Sequence, residues 1–330
     1  MSRRLLASVL ALALAPGTWV RSGMPPADFM PPIPIHAIEL EPQNSGSFRL
    51  LRGWELRPSD PRAGGYSALL WRGGDRLLAA SDNGRLIELT GPDFASATQR
   101  RVFTSGTYDK VSGDVEALAG GADGPVWAAA EGRNAITRAT AALRFSGEVQ
   151  PQATDGWWRN AGMETLARLP DGRFLAVAER GRSGRHAGII FAGDPVEAEE
   201  SEDFRLKVPD GFRPVDAVAA PDGMLLVLLR RLDWSVPPGF VSAVARYDVA
   251  ALEAGRTWSP RDISILPSAT PADNYEGIAL RPERGGAATI WLISDDNLAA
   301  FQRSLLLELS YRPKRKRARG SSARPSRDRE

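Results

Sequence analysis

Paired acidic residues are the feature of this sequence that could carry chemistry. In residues 274–297, Glu276 and Asp295 lie at equal distances from the glycine pair Gly285-Gly286. If two short strands fold back at these glycines, the two carboxylates face each other across an antiparallel hairpin. Like charges held so close are destabilising unless something binds them, so the spacing indicates a binding site.

The same arrangement occurs four more times along the chain. Each repeat has two apolar runs around a glycine-containing turn, with a polar residue near the outer end of each run. The first outer positions, spaced by 49, 48, 52 and 60 residues, are Ser67, Glu116, Glu164, Asp216 and Glu276. Their partner positions are Asp82, Glu131, Glu179, Arg230 and Asp295. A two-residue turn at the midpoint of each pair predicts that its two members are direct cross-strand neighbours.

Such a period fits the blades of a β-propeller. A third strand candidate follows each hairpin, and a fourth follows the first four hairpins. The fifth repeat lacks a fourth strand, whereas residues 48–56 near the N-terminus form a strand candidate without a partner. We therefore predict an all-β propeller of four-stranded blades that this N-terminal strand closes by joining the last blade. Five repeats are visible, and residues 35–40 leave room for a sixth blade.

Composition limits the chemistry that the chain can carry out. The absence of cysteine excludes disulfides, thiolate catalysis and cysteine-ligated zinc. The two histidines, His36 and His186, argue against a Ser-His-Asp triad and exclude a three-histidine zinc site. We expect both to be surface or loop residues. Because the chain also lacks a G-x-S-x-G motif, an α/β-hydrolase nucleophile is not supported.

Basic charge is concentrated at the C-terminus. Residues 311–330 hold nine Arg or Lys against two acids, which leaves 33 basic and 38 acidic residues in the rest of the chain. An acidic body argues against a specific nucleic-acid surface and is compatible with cation binding. We expect residues 312–330 to be a disordered tail that either stays solvated or contacts an anionic surface such as a membrane or cell wall.

The N-terminus has the layout of a secretory signal peptide. Arg3 and Arg4 precede an eleven-residue apolar run, which is too short to span a bilayer. Pro16 follows the small residues that suit a peptidase, so residues 1–23 are either cleaved or kept as an anchor; a buried helix is the alternative. We expect a periplasmic or secreted monomer. After the signal segment come a Pro-rich linker (24–34), the propeller (35–311) and the basic tail (312–330).

In a propeller, the open ends of the hairpins gather on one face near the axis, where the acids would form a ring. Hard oxygen donors without thiolates, and almost without imidazole, favour Ca²⁺, with Mg²⁺ as the alternative. The predicted metal ligands are Glu116, Glu131, Glu164, Asp216, Glu276, Asp295 and Asp296. The other interpretation is that neighbouring arginines pair with these acids and merely hold the blades together.

Polar residues on the same face would bind a small phosphate or carboxylic ester through hydrogen bonds. The predicted ligand-binding residues are Asp82, Asn83, Arg133, Asn160, Arg182, Arg230, Asn274 and Asn297. The predicted catalytic residues are Glu164, Glu179, Arg180, Glu276 and Asp295. Trp157 and Trp158 are either a platform for a sugar or aromatic ring or packing residues, whereas Trp127 and Trp291 are predicted to pack.

Two paired motifs resemble the phytase-like domain family. They are NYEGIAL at 274–280 with LISDDN at 292–297, and METLA at 163–167 with AVAER at 176–180. Family members are exported bacterial proteins described as having esterase-like activity, so the resemblance, over residues 48–310, implies a β-propeller. Propeller phytases bind several calcium ions and hold phosphate against lysine-rich walls. This chain has few lysines, which counts against phytate hydrolysis in particular.

Two classes of function are compatible with this site. In a metal-dependent hydrolase of phosphate or carboxylic esters, the ring acids would hold a cation that polarises the ester and activates water, and arginines would bind the oxyanion. In a non-catalytic periplasmic scaffold or ligand-binding propeller, the acids would bind structural calcium or arginines. Lactone hydrolysis is a further alternative, which needs an acidic tetrad near the axis.

Overall fold

The structure is a computed structural model that describes residues 29–60, 62–103, 113–198, 200–234, 239–297 and 302–313. The predicted signal segment, residues 24–28 of the predicted linker and nearly all of the basic tail lie outside these residues. Within them, no helix has the length and apolar character needed to cross a membrane. The short 3-10 helices are Pro92–Phe94, Glu131–Arg133, Gln152–Thr154, Val249–Ala251 and Arg284–Gly286.

Strands make up most of the regular structure. The N-terminal strands are β1 (Ile35–Ile38), β2 (Asn44–Ser45) and β3 (Phe48–Leu56). Blade one consists of β4 (Tyr66–Trp71), β5 (Arg76–Ser81), β6 (Arg85–Thr90) and β7 (Ser96–Arg101). Blade two consists of β8 (Val115–Gly120), β9 (Val126–Ala130), β10 (Ala135–Ala139) and β11 (Phe145–Val149). Each blade is an antiparallel sheet whose first strand is the innermost.

The remaining blades follow the same plan. Blade three consists of β12 (Met163–Arg168), β13 (Phe174–Arg182), β14 (Arg185–Phe191) and β15 (Ser201–Lys207). Blade four consists of β16 (Arg213–Ala219), β17 (Met224–Asp233), β18 (Gly239–Asp248) and, after β19 (Thr257–Trp258), β20 (Asp262–Ile265). Strand β19 pairs in parallel with β15 at the edge of blade three. Blade five begins with β21 (Asn274–Pro282), β22 (Ala288–Asp295) and β23 (Ser304–Tyr311).

The N-terminal strand completes blade five. Strand β3 pairs with β23 from Phe48 opposite Tyr311 to Leu56 opposite Ser304, and β1 pairs with the other edge of β3. This confirms the predicted closure of the ring by the N-terminal strand. The suggested sixth blade is not found, because β1 is the outermost strand of blade five. The propeller has five blades.

Each pair of neighbouring blades shares a hydrophobic core, and the five cores follow one another around the ring. In the core between blades five and one, Trp54 and Trp291 pack in the same cluster as Leu69 and Leu77. Trp127 packs between blades two and three. The predicted packing roles of Trp127 and Trp291 are therefore confirmed. Because both faces of each sheet are covered, the chemistry must lie at the ends of the strands.

The register of the inner hairpins differs from the prediction. In blade three, Leu169 donates its N–H to the carbonyl of Arg173, and Gly172 takes a positive φ of 92°. The loop therefore has three residues instead of two, which shifts the pairing by one residue. Glu164 is thus not opposite Glu179. The predicted direct pairing is wrong in all five hairpins.

A β-bulge interrupts every inner hairpin at the predicted site position. In four blades the register shift falls on the first outer residue of the repeat: Ser67, Glu116, Glu164 and Glu276. In blade four it falls on Val215, one residue before Asp216. A bulge adds an unpaired residue and re-aims its side chain. The acids of blades two, three and five therefore leave the regular in-and-out alternation of their strands.

Candidate functional site

The bulged acids of blades two, three and five meet at one end of the propeller axis. The charge of Glu276 acts on both Glu116 and Glu164, and the charge of Glu116 acts on Glu164. All three side chains are buried. We call this region the axial mouth. It comprises Asp114, Glu116, Glu131, Glu164, Glu179, Arg230, Asn274, Glu276 and Asp295.

Asp114, Glu116 and Glu131 are the part of the axial mouth that could hold a metal ion. One carboxylate oxygen from each residue lies within 4.8 Å of the others. Calcium binds oxygens at about 2.3–2.6 Å, so a single ion can contact three oxygens spaced in this way. Burial, followed by the charges of Glu276 and Asp114, raises the pKa of Glu116 well above its usual value. A bound divalent cation would relieve this repulsion, so the three residues fit a hard cation.

Asp114 is a residue that the sequence prediction missed. It directly precedes β8, and its backbone carbonyl accepts a hydrogen bond of 3.1 Å from the N–H of Glu131. This bond places the two residues side by side. The corresponding positions in the other repeats are not acidic, so the repeat pattern does not mark Asp114; they are Gly65, Gly162, Pro214 and Asn274. The sequence feature that could have identified Asp114 is its spacing of two residues from Glu116.

Glu131 and Glu164 join blades two and three. Their carboxyl groups act on each other, and the charge of Glu131 contributes to the raised pKa of Glu164. Glu131 also accepts the N–H of Gly162 at 3.1 Å. Burial raises the pKa of both groups, and the charge of Glu116 raises that of Glu164 further. This pair can hold and exchange one proton at the axial mouth.

Arg230 fills the blade-four side of the axial mouth. Its guanidinium donates to Asn274 at 2.9 Å and to Glu179 at 3.1 Å, and it contacts Glu276 directly. Burial works to lower the pKa of Arg230, but the charges of Glu276, Glu164 and Glu179 outweigh it and raise the pKa. Arg230 therefore neutralises acids of blades three and five.

Blade five contributes two acids with raised pKa values. Burial raises the pKa of Glu276 to about 8, although contact with Arg230 works in the opposite direction. Burial also raises the pKa of Asp295 to about 6, and its Oδ1 accepts the N–H of Asn297 at 2.6 Å. Gly277 has no room for a side chain, since a Cβ would lie 2.8 Å from backbone of blade one. This close approach holds Glu276 near the axis.

Two predicted metal ligands link blades to each other. Asp216 is fully buried, and its two oxygens accept the N–H groups of Ala217 and Ile278, each at 2.8 Å. Asp296 accepts the N–H of Gly65 at 2.9 Å and the hydroxyl of Ser304 at 2.7 Å. The structure thus uses these carboxylates to join blade four to blade five and blade five to blade one.

Several predicted ligand-binding residues have local partners. Arg133 forms two hydrogen bonds, of 2.9 and 2.7 Å, with Glu148 in the same blade. The amide of Asn83 donates to the carbonyl of Arg62. Arg182 lies near the end of β13, opposite Arg185. Asp82 lies closer to the site, because its charge acts on Glu116.

Arg180 and Asn160 line a separate pocket between blades three and four. The guanidinium carbon of Arg180 lies 3.5 Å from the centre of the Trp158 ring, and Trp158 is 58% exposed. Trp157, by contrast, packs against the core between blades two and three. Of the two adjacent tryptophans, Trp158 is therefore the one that presents an exposed aromatic face.

The two histidines lie in strands, contrary to expectation for His186. His186 is buried in β14, and its Nδ1 lies 3.2 Å from the carbonyl oxygen of Ala178. Burial lowers the pKa of His186, which keeps its ring neutral. His36 is exposed on β1, far along the chain from the acidic repeats. Neither histidine belongs to the axial mouth as defined here.

Comparison with known proteins identifies a family. A family model described as phytase-like, esterase-like activity of phytase, matches residues 61–298. No curated protein matches the chain. Among solved structures, the glutaminyl cyclase of Myxococcus xanthus shares 13% identity with a TM-score of 0.49, over 80% of this chain and 96% of that chain. Streptogramin B lyase shares 13% identity with a TM-score of 0.42, over 82% and 88% respectively. Likeness at this level carries no argument about function.

Proposed function

The chain belongs to the phytase-like family, and from this premise we propose that it hydrolyses phosphate or carboxylic esters with a divalent cation at the axial mouth. The observation that carries the proposal is the triad of Asp114, Glu116 and Glu131, whose carboxylate oxygens lie within 4.8 Å of one another. We infer calcium as the ion, with magnesium as the alternative, because all three donors are hard oxygens.

The charge of the axial mouth supports a requirement for the cation. Seven carboxyl groups surround the single guanidinium of Arg230 within the region defined above. Without a cation, these acids repel an anionic ester. When bound, the cation supplies a Lewis acid that polarises the ester and lowers the pKa of a water molecule. We therefore expect the hydrolysis of anionic esters to depend fully on added metal.

Protein groups supply the proton transfer. Glu164 is our candidate general base and acid, because it lies among the other acids of the axial mouth and burial, followed by the charge of Glu116, raises its pKa well above the usual value. A carboxyl group with a raised pKa can take a proton from water and return it to the leaving alcohol near neutral pH. Arg230 holds Glu179 and Glu276 in place beside it.

The test is hydrolysis of p-nitrophenyl phosphate and p-nitrophenyl acetate by protein from which a chelator has removed metal, measured with and without added Ca²⁺, Mg²⁺ or Mn²⁺. We expect turnover only with metal, and about a hundredfold or greater loss in Glu116→Gln, since a metal ligand is removed. Asp171→Asn, in the exposed hairpin turn of blade three, is the matched control. A wild-type protein that hydrolyses neither ester, and binds Ca²⁺ no better than Glu116→Gln, contradicts the proposal.

A second candidate is a non-catalytic ligand-binding or scaffold propeller. The observation that favours it is the use of Asp216, Asp296 and Arg230 to join blades. In that case, chelation lowers the melting temperature while no ester is consumed. A lactone is also an ester, so a lactone in the substrate panel covers the lactonase-like alternative.

Export is part of the proposal and rests on the sequence of residues 1–23, which has the charged start and apolar run of a signal peptide. We propose a periplasmic or secreted monomer, either released or held by its N-terminal segment. Its partner is a small anionic ester or phosphate. No specific nucleic-acid ligand is proposed, and the basic tail is available to contact an anionic surface.

A further inference from the structure

A polar pocket of about 640 Å³ opens between blades three and four. Its walls come from the end of β13, the start of β14, the start of β16 and the loops before β12 and β16. We call it the blade three–four pocket. The polar and charged residues of its lining are Asn160, Glu179, Arg180, Ser183, His186, Asp210 and Arg213. None of the roles assigned above uses this pocket.

Glu179 is a shared wall between this pocket and the axial mouth. Its Oε1 accepts a hydrogen bond of 3.1 Å from Arg230, which belongs to the axial mouth. Its Oε2 accepts a hydrogen bond of 2.9 Å from Arg213, which lines the pocket. The pocket therefore adjoins the axial mouth across the Glu179 side chain.

Two arginines of the pocket have N–H groups available for a ligand. Arg180 is stacked on Trp158 and forms no ion pair among the described residues. Stacking holds the guanidinium by its face and leaves its N–H edge open, the arrangement that binds carboxylate or phosphate by paired hydrogen bonds. The Arg213 side chain is 59% exposed, and only one of its nitrogens contacts Glu179.

The remaining lining is neutral apart from Asp210. The His186 ring is buried and packs on Gly181, where a Cβ would lie 2.8 Å from the ring. Burial lowers the pKa of His186, so the ring adds no charge. Glu179 is already balanced, because two arginines share it. The lining thus holds two arginines, Arg180 and Arg213, and two acids, Glu179 and Asp210; because Glu179 is paired with Arg213, the Arg180 guanidinium is the positive group that is left to bind an anionic ligand.

We propose that the blade three–four pocket binds an anionic group of the substrate, a carboxylate or a phosphate, while the ester bond lies at the axial mouth. This inference rests on the proposed function for its substrate, but the binding itself does not need turnover. It defines the substrate class as an ester that carries an anionic group separate from the bond that is cleaved. Arg180 binds that group, and Asp210 weakens the binding.

The binding test uses the full chain, titrated by calorimetry with inorganic phosphate and, separately, with succinate. We expect saturable binding that weakens about tenfold or more in Arg180→Gln, since a paired hydrogen-bond donor is lost. Asp210→Asn removes a repelling charge and should tighten binding. Arg205→Gln is the matched control, because Arg205 is an exposed arginine on β15 of the same blade and is not part of the pocket lining.

Three results would overturn the inference: no saturable binding of either anion, equal weakening in Arg180→Gln and Arg205→Gln, or weaker binding in Asp210→Asn. Whether phosphate or succinate binds more tightly shows whether the anionic group of the substrate is a phosphate or a carboxylate. If the anion binds as expected but no ester is hydrolysed, the proposed function fails and the pocket stands. The two ideas can therefore fail separately.

Turnover offers a second readout. In Arg180→Gln we expect KM for mono-p-nitrophenyl succinate to rise about tenfold with kcat nearly unchanged, because the lost contact is made in both ground and transition states. KM for neutral p-nitrophenyl acetate should stay the same. Equal changes for the charged and the neutral ester would contradict a role for Arg180 in binding an anionic group.

Discussion

The two ends of the propeller axis differ in chemistry, although the same five inner strands line both. At one end lies the axial mouth, with its buried acids and Arg230. At the other end the strands enclose a cavity of about 250 Å³ with an almost entirely apolar lining, including Leu69, Leu118, Leu166 and Ile278. Each inner strand thus begins in a polar site and ends in an apolar one.

Backbone geometry accounts for this difference. Towards the apolar end, the pairing of β12 with β13 is regular from Thr165 to Arg168, so side chains alternate between the faces of the sheet. At the axial mouth, the bulge breaks this alternation at Glu164. The regular part holds the blades together by burial, and the bulged part frees a side chain for chemistry.

The largest expected effect comes from placing an acid at the apolar end. Leu166→Glu buries a carboxylate at a fully buried position without a partner, and we expect a loss of at least about 4 kcal/mol in the free energy of unfolding. Urea denaturation measures it. Arg168→Glu, on the same strand but exposed, is the control. A stable Leu166→Glu protein would show that the apolar end tolerates charge as the axial mouth does.

Removing the arginine of the axial mouth should have the next largest effect. Arg230→Gln leaves Glu276 buried without its cation and Glu179 with Arg213 alone, at a cost of about 3–5 kcal/mol for a broken buried pair. We expect Ca²⁺ to restore part of this stability. Arg133→Gln, whose pair with Glu148 is partly exposed, should lose at most about 1 kcal/mol. Equal losses in both variants would contradict a special role for Arg230.

The pH dependence of stability should come from the axial mouth. In the folded protein the pKa of Asp295 is about 6 and that of Glu276 about 8, whereas both lie near 4 in an unfolded chain. Between the unfolded and the folded pKa values, the folded state therefore binds more protons than the unfolded chain. The contribution of these two protonated acids to the free energy of unfolding is fully present below about pH 4 and is lost as the pH rises through 6 and then 8.

We accordingly expect the melting temperature in chelator to fall between pH 5 and pH 8. Glu276→Gln should remove the upper part of that fall. Leu118→Ala, at the apolar end, should lower the melting temperature without changing its pH dependence. A melting temperature that rises over this range would contradict the raised pKa values.

The smallest effect is expected in the exposed hairpin turns beyond the apolar end. Asp123 forms an exposed ion pair with Arg76, and such pairs contribute about 0–1 kcal/mol. Asp123→Asn should therefore change neither the free energy of unfolding beyond this amount nor ester hydrolysis. A large loss of activity in this variant would place chemistry at the wrong end of the axis.

Much of the fold could be predicted from the sequence. The strands, their grouping into five repeats and the role of residues 48–56 follow from apolar patterns and turn residues, which are local properties of the chain. The sequence by itself also determined that oxygen donors, and neither thiolates nor a histidine cluster, are available to a site. The motifs around Glu164 and Glu276 marked the family.

Only the tertiary structure decided which of these acids meet, and with what. Three-residue loops and bulges moved Glu164 and Glu276 away from their predicted partners. A contact between blades made Asp216 a link, and the pairing of the two inner strands of blade two brought Asp114 beside Glu131. The physical reason is that a single added residue reverses the direction of a strand's side chains. Packing between blades determines which residue forms the bulge, and the sequence of a single repeat does not show that position.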